Sequence, residues 1–201
     1  NHSQQTAIAN KIRLQYKIPE DSKILLYAPT FRDSHEFNCY NIDFYNLITT
    51  LHKKFGGKWI VLTRFHPTIR KYAKERFYSP YTIDVSVYPD IQELLLISDI
   101  GITDYSSWIY DYILTKKLGF IYATDIHSYA DERGFYYPLD TTPFPIATNN
   151  EELMQNILQF DVSVYQTKVE AFLQDKGCFE DGHASERVVQ KISEILEEKT
   201  K

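Results

Sequence analysis

Cysteine is scarce in this 201-residue chain, with Cys39 and Cys178 the only two and no CxxC spacing between them. A disulfide framework and a structural zinc site are therefore not expected, and a reducing cytosol is the compartment such usage favours. Glycine is also sparse, at seven residues, and neither a GxGxxG run nor a Walker lysine motif occurs. A phosphate bound here would have to be held chiefly by side chains and helix ends rather than by a glycine-rich cradle. Basic residues do not dominate either: 22 Lys and Arg stand against 27 Asp and Glu, a formal net charge of -5. That balance argues against a general nucleic-acid binder, whose backbone affinity needs clustered cations in excess, but it leaves room for a local anion pocket. No apolar run approaches the roughly 20 residues needed to span a bilayer, and the polar start, Asn1 to Asn10, has no signal-peptide core.

What is present suits a folded domain. Hydrophobic residues make up 43% and charged residues 24%, far from the composition of disorder, and the length fits one domain better than two. Short runs rich in Ile, Val, Leu and Tyr alternate with amphipathic stretches, the pattern of a parallel sheet covered by helices. Strands are expected at Ile24 to Ala28, Trp59 to Thr63, Thr82 to Val85, Ile100 to Thr103 and Phe120 to Tyr122. Helices are expected at Asp43 to Phe55, Ile69 to Phe77, Ile91 to Ser98 and Ser107 to Thr115, with Gly56-Gly57 stopping the first. Further on, Asn149 can cap a helix with Glu152 reaching back, and a last helix from about Ala184 to Glu198 puts Val188, Ile192, Ile195 and Leu196 on one face. Thr124 to Ile146 reads as a long irregular stretch. Residues 1–20 read as the end of a preceding element or linker, leaving 21–201 as a Rossmann-like α/β domain.

In an open parallel sheet, ligands bind at the carboxyl ends of the strands, where loops and helix N-termini converge. The residues just after each strand are therefore the ones that matter. The first strand is followed by Thr30, Arg32 and Asp33, the second by Arg64 and His66, and the fourth by Asp104, Ser106 and Ser107 at the start of a helix. Cations, a histidine and hydroxyls at a helix start suit a diphosphate. Each group also has an ordinary role: Ser106 as a helix cap, His66 as a structural hydrogen-bonder, Arg32 with Asp33 as a surface ion pair. The functional reading rests on their sharing one edge of the sheet.

Five pieces in order, Leu26-Tyr27-Ala28-Pro29-Thr30-Phe31-Arg32-Asp33, His66-Pro67, Thr103-Asp104-Tyr105-Ser106-Ser107, Arg133-Gly134-Phe135-Tyr136 and Asp181-Gly182-His183-Ala184-Ser185-Glu186-Arg187, resemble the CDP-glycerol glycerophosphotransferases that build teichoic acids. The resemblance implies the C-terminal, donor-binding half of a GT-B-type transferase, with no cofactor and no metal. It implies that an acceptor hydroxyl attacks the β-phosphorus of CDP-glycerol and releases CMP. His66 would meet the diphosphate, with Thr30, Arg32, Asp33, Arg64, Ser106 and Ser107 around the donor. Ser185 would either close on the phosphate or cap the last helix, and Asp104, Asp111, Arg133, Gly134, Asp181 and Gly182 would support the site. The implied partners are a CDP-polyol, a polyol-phosphate acceptor on a lipid carrier, and an N-terminal acceptor-binding half carrying a His-Gly-Thr motif that this chain lacks. The fragment is accordingly expected to be inactive alone, and the full-length protein to be cytoplasmic and peripheral at the inner face of the plasma membrane. Two alternatives stand beside this reading: a nucleotide-sugar or CDP-ribitol transferase of the same architecture, and a non-catalytic flavodoxin-like binding module.

Overall fold

A computed structural model describes residues 2–32, 37–76, 79–132, 134–135 and 137–199. Its core is a six-stranded, wholly parallel sheet. The strands are β1 (Ser22–Tyr27), β2 (Lys58–Thr63), β3 (Thr82–Asp84), β4 (Ile100–Thr103), β5 (Leu118–Tyr122) and β6 (Ile146–Ala147), arranged in the order β3-β2-β1-β4-β5-β6. This is the doubly wound order, in which the chain runs outward one way from β1 and then returns to run outward the other way from β4. The central strands are apolar on both faces because helices cover both: Ile24, Leu25, Leu26 and Tyr27 of β1 are all buried, as are Ile100 and Ile102 of β4.

The helices between the strands are α2 (Phe44–Phe55), α3 (Pro67–Arg76), α4 (Ile91–Ile97), α5 (Trp108–Ile113) and α6 (Ile126–Glu132). Flanking them are α1 (His2–Tyr16), α7 (Asn150–Gln159), α8 (Val162–Asp175) and α9 (Ala184–Lys199). Their starts are chemically marked. Asp43 caps α2, Asp90 caps α4, Asn149 caps α7 and Asp161 caps α8, each carboxylate or amide oxygen accepting a backbone N–H of the first turn. At α7 the Glu152 carboxylate reaches back one residue further than expected, to the Thr148 amide at 2.7 Å. Gly56 ends α2 with a positive φ of 64°.

The five expected strands are all present, each within two residues of its expected bounds. The stretch from Thr124 to Ile146 is more ordered than its proline content suggested: it holds α6, a 3-10 turn at Leu139–Thr141 and the start of β6. Residues 2–16 form a helix that packs on α4, with Ile12 fully buried and Lys11 paired to Glu93 at 2.7 Å. The apolar face of α9 is present as expected but exposed: Val188, Ile192, Ile195 and Leu196 all lie open to solvent.

Two contacts fix the centre of the sheet around the site. The Ala28 carbonyl at the end of β1 accepts from both Thr103 Oγ1 and Trp108 Nε1, each at 2.8 Å, which ties β1 to β4 and to α5. Gly101 lets α5 sit directly on β4: a Cβ there would lie 2.9 Å from the Tyr112 ring and 3.0 Å from Trp108. Gly101→Ala should therefore overpack this contact and cost about 1–3 kcal/mol, read as a lower urea midpoint with an unchanged denaturant slope.

Candidate functional site

The residues that follow β1, β2, β3 and β4 meet in an open cleft of about 250 Å³ at the carboxyl edge of the sheet. Thr30 and Phe31 come from the first loop, Arg64 and His66 from the second, Ser86 from the third and Ser106 from the fourth. The cleft lies where β1 and β4 pair but their chains depart in opposite directions, so no crossover covers it.

His66 is exposed and held in two ways. Its ring stacks on Phe31, with centroids 4.3 Å apart and planes 24° from parallel. Its Nδ1 accepts the Thr68 amide N–H at 3.3 Å and meets Thr68 Oγ1 at 2.9 Å. An amide can only donate, so Nδ1 is the acceptor and the neutral ring carries its proton on Nε2. The His66 carbonyl also starts α3, accepting from Ile69 and Arg70 at 3.0 and 3.1 Å. Pro67 has no N–H, so the free amides of the first turn of α3 are all taken by His66 itself, and side chains are left to meet a ligand.

Arg64 is half-buried, and one terminal nitrogen donates to the Tyr88 carbonyl. Burial lowers its pKa, and Asp90 partly offsets this; a guanidinium nonetheless stays charged. Ser107 occupies the N-cap of α5 but makes no capping hydrogen bond with its side chain. Ser106 lies on the wall between the main cleft and a second, smaller one of about 60 Å³ that also includes Ser107, Gly134 and Phe135. Gly134 holds a φ of 71°, where a side chain would be strained.

Arg32 has a different place from that of a ligand-facing cation. It is 5% exposed and does not line the cleft. Its Nη2 lies 2.8 Å from Asp104 Oδ2, its Nε donates to Asp125 Oδ2 at 2.6 Å, and its Nη1 donates to the Thr30 carbonyl at 2.7 Å. The rings of Tyr105 and Tyr129 lie 4.9 Å from the guanidinium carbon. A guanidinium so enclosed holds the loop rather than a ligand. Asp104 is buried with it and accepts the Thr30 and Tyr105 amides at 2.8 and 2.6 Å. Burial raises the Asp104 carboxyl, against the pull of Arg32 and the two amides. At Asp125 burial also pushes upward, but the Arg32 and Tyr105 donors prevail and hold it below the usual carboxylate range.

The remaining expected residues are elsewhere. Asp111 is exposed on α5 and accepts from Gln92 at 3.1 Å. Asp181 is paired with Arg187 at 2.7 Å, Gly182 turns the chain with a φ of 82°, and Ser185 is exposed on α9; none of the three lines the cleft. Asp33 and Arg133 lie outside the described residues. Asp125 was not anticipated from the sequence, although it follows β5 as the other candidates follow β1, β2 and β4.

A doubly wound parallel domain with an open crevice at its switch point has the Rossmann-like α/β architecture, the fold of one half of a GT-B-type transferase. The chain is a member of the CDP-glycerol:poly(glycerophosphate) glycerophosphotransferase family, whose model matches residues 1–194. It is 35% identical to a teichoic acid poly(glycerol phosphate) polymerase of Staphylococcus epidermidis over 98% of this chain and 28% of that protein. It is also 35% identical to a teichoic acid glycerol-phosphate transferase of Staphylococcus aureus over 93% of this chain and 49% of that one. The solved wall teichoic acid polymerase TagF superposes with a TM-score of 0.72 at 34% identity, over 97% of this chain and 48% of that structure. The chain thus spans between about a quarter and a half of the length of these relatives.

Removing the guanidinium should expose how much the enclosed charges matter. Arg32→Met leaves two carboxylates facing each other without their cation, and should lower unfolding free energy by about 3–5 kcal/mol in urea titrations.

Proposed function

We propose that this chain supplies the donor-binding half of a transferase that moves glycerol phosphate from CDP-glycerol to a polyol-phosphate acceptor on a lipid carrier. The observation that carries the reading is the meeting of Thr30, Arg64, His66 and Ser106 in one cleft at the switch point. Family membership supports the same reaction class, and a variant of TagF soaked with CDPG superposes with a TM-score of 0.72 over the whole of this chain and 49% of that one. In this reading residues 21–201 are the donor domain and residues 1–20 lead in from an acceptor-binding half. That half supplies the groups that receive the proton of the attacking hydroxyl.

The chemistry asks for position and charge more than for a covalent catalyst. An acceptor oxygen forms a bond to the β-phosphorus while the bond to the bridging oxygen breaks, and CMP departs with that oxygen and its added negative charge. His66 presents Nε2–H toward the diphosphate with its ring fixed by Phe31 and Thr68, so it donates to the phosphate as charge builds on the leaving group. Arg64 adds permanent charge, and the Thr30 and Ser106 hydroxyls complete the set. In this reading the enzyme works at a membrane surface because its acceptor is lipid-linked; none of the described helices is long and apolar enough to cross the bilayer.

A ribitol donor is the second reading. A teichoic acid ribitol-phosphate primase of Bacillus spizizenii is 34% identical over 94% of this chain and 48% of that protein, nearly the same distance as the glycerol relatives. Isothermal titration of the chain with CDP-glycerol, CDP-ribitol, CMP and a UDP-sugar separates the two. A CDP-polyol should bind, and His66→Ala or Ser106→Ala should each weaken it by about 10- to 100-fold, the worth of one hydrogen bond to a charged group. Binding of the UDP-sugar alone would overturn the reading.

A further inference from the structure

The enclosed ion cluster presents an electrostatic puzzle. Arg32 would be neutralised by Asp104 alone, yet Asp125 adds a second carboxylate and leaves an excess of negative charge one residue away from a cleft suited to an anion. Such an arrangement works against a diphosphate unless the second carboxylate is there for geometry. Asp125 is well placed for that. One oxygen accepts from Arg32 Nε at 2.6 Å, and the other accepts both from Arg32 Nη2 at 3.0 Å and from the Tyr105 hydroxyl at 2.8 Å. This bidentate grip fixes the plane of the guanidinium.

The plane matters because of what the third nitrogen does. Arg32 Nη1 donates to the Thr30 carbonyl at 2.7 Å, Tyr40 donates to the same oxygen at 2.9 Å, and Asp104 takes the Thr30 amide at 2.8 Å. Thr30 is therefore clamped at both backbone groups at the place where it lines the cleft. Its Oγ1 is buried with no hydrogen-bond partner within the protein. The same carboxylate holds Tyr105, the residue immediately before Ser106, so Asp125 reaches both walls of the cleft through other residues while lining neither.

We propose that Asp125 is a positioning residue for the donor cleft, orienting Arg32 and Tyr105 so that Thr30 and Ser106 face the bound diphosphate in one fixed arrangement. This rests on the donor-binding reading above. It makes a prediction opposite in sign to simple electrostatics: Asp125→Asn removes a negative charge near the anion, yet it should weaken binding because an amide replaces one of the two acceptor oxygens with an NH2 donor and loses the bidentate grip on the guanidinium.

Two measurements on the 201-residue chain test it. The first needs no ligand: in hydrogen exchange followed by NMR, Asp125→Asn should speed exchange of the Thr30 amide at least tenfold, while the amides of Leu25 and Leu26 in β1 keep their protection. The second is titration with CDP-glycerol, where Asp125→Asn should raise Kd about tenfold or more and Asp125→Glu should recover part of the loss. Val169→Ala, on the buried face of α8, serves as a destabilised control at a residue that belongs to neither the cluster nor the cleft lining, and should bind as the wild type does. If Asp125→Asn does not fold, Asp125→Glu carries both measurements, with a smaller loss expected. Unchanged Thr30 exchange, or CDP-glycerol binding equal to or tighter than wild type, would overturn the proposal. Failure of the wild type to bind CDP-glycerol would instead remove the donor reading, and the exchange result would still decide whether Asp125 fixes Thr30.

Discussion

Three charged side chains from three different strand ends are brought together under the edge of the sheet, and removing them from water is costly. A buried ion pair is tolerable only when its geometry is good and its remaining donors and acceptors are met. Here both conditions hold: Arg32 from the β1 loop, Asp104 from the β4 loop and Asp125 from the β5 loop use each other, two backbone amides, a carbonyl and a tyrosine hydroxyl. The Tyr105 and Tyr129 rings lie 4.9 Å from the guanidinium carbon, within cation–π range. The cluster thus couples the positions of three loops that the sheet's own hydrogen bonds leave independent.

The opposite edge of the sheet is held by different means. Asp99, just before β4, accepts the Ile24 amide at 2.8 Å, and the Lys117 amine donates to the Leu96 and Ser98 carbonyls. These ties align β1, β4 and β5 from below, by contacts to backbone alone. One edge is thus tied by side chains that reach backbone groups of neighbouring strands, while the other carries its side chains on loops braced from beneath. His66, at the carboxyl edge, combines a structural role and a cleft-lining one. Its carbonyl builds a helix while its ring is free for a ligand, so the scaffold depends on the backbone of that residue and the chemistry on its side chain.

The strands were legible because doubly covered parallel strands are nearly continuous apolar runs, and β1, β2, β4 and β5 are such runs. The two-residue β6 was not, since nothing in Ile146–Ala147 distinguishes so short a strand from a loop. In the same way α1 has too polar a sequence to announce that Ile12 would be buried against α4. For the site, the residues after the strand ends include four that line one cleft, Thr30, Arg64, His66 and Ser106. The rule that strand ends face the ligand misjudged the direction of Arg32, because what turns that side chain inward is a partner 93 residues away in the chain. The terminal motif around Ser185 is a case where order in sequence carried no information about distance from the cleft.

The clamping of Thr30 has a consequence for how this edge can change. A cradle built of main-chain amides is indifferent to most substitutions, since every residue except proline brings the same donor. At Thr30 the main chain is already committed inward, and what a visitor meets is whatever the codon specifies. The surface offered there is open to revision one base change at a time, while the loop that carries it stays where the hidden charges keep it.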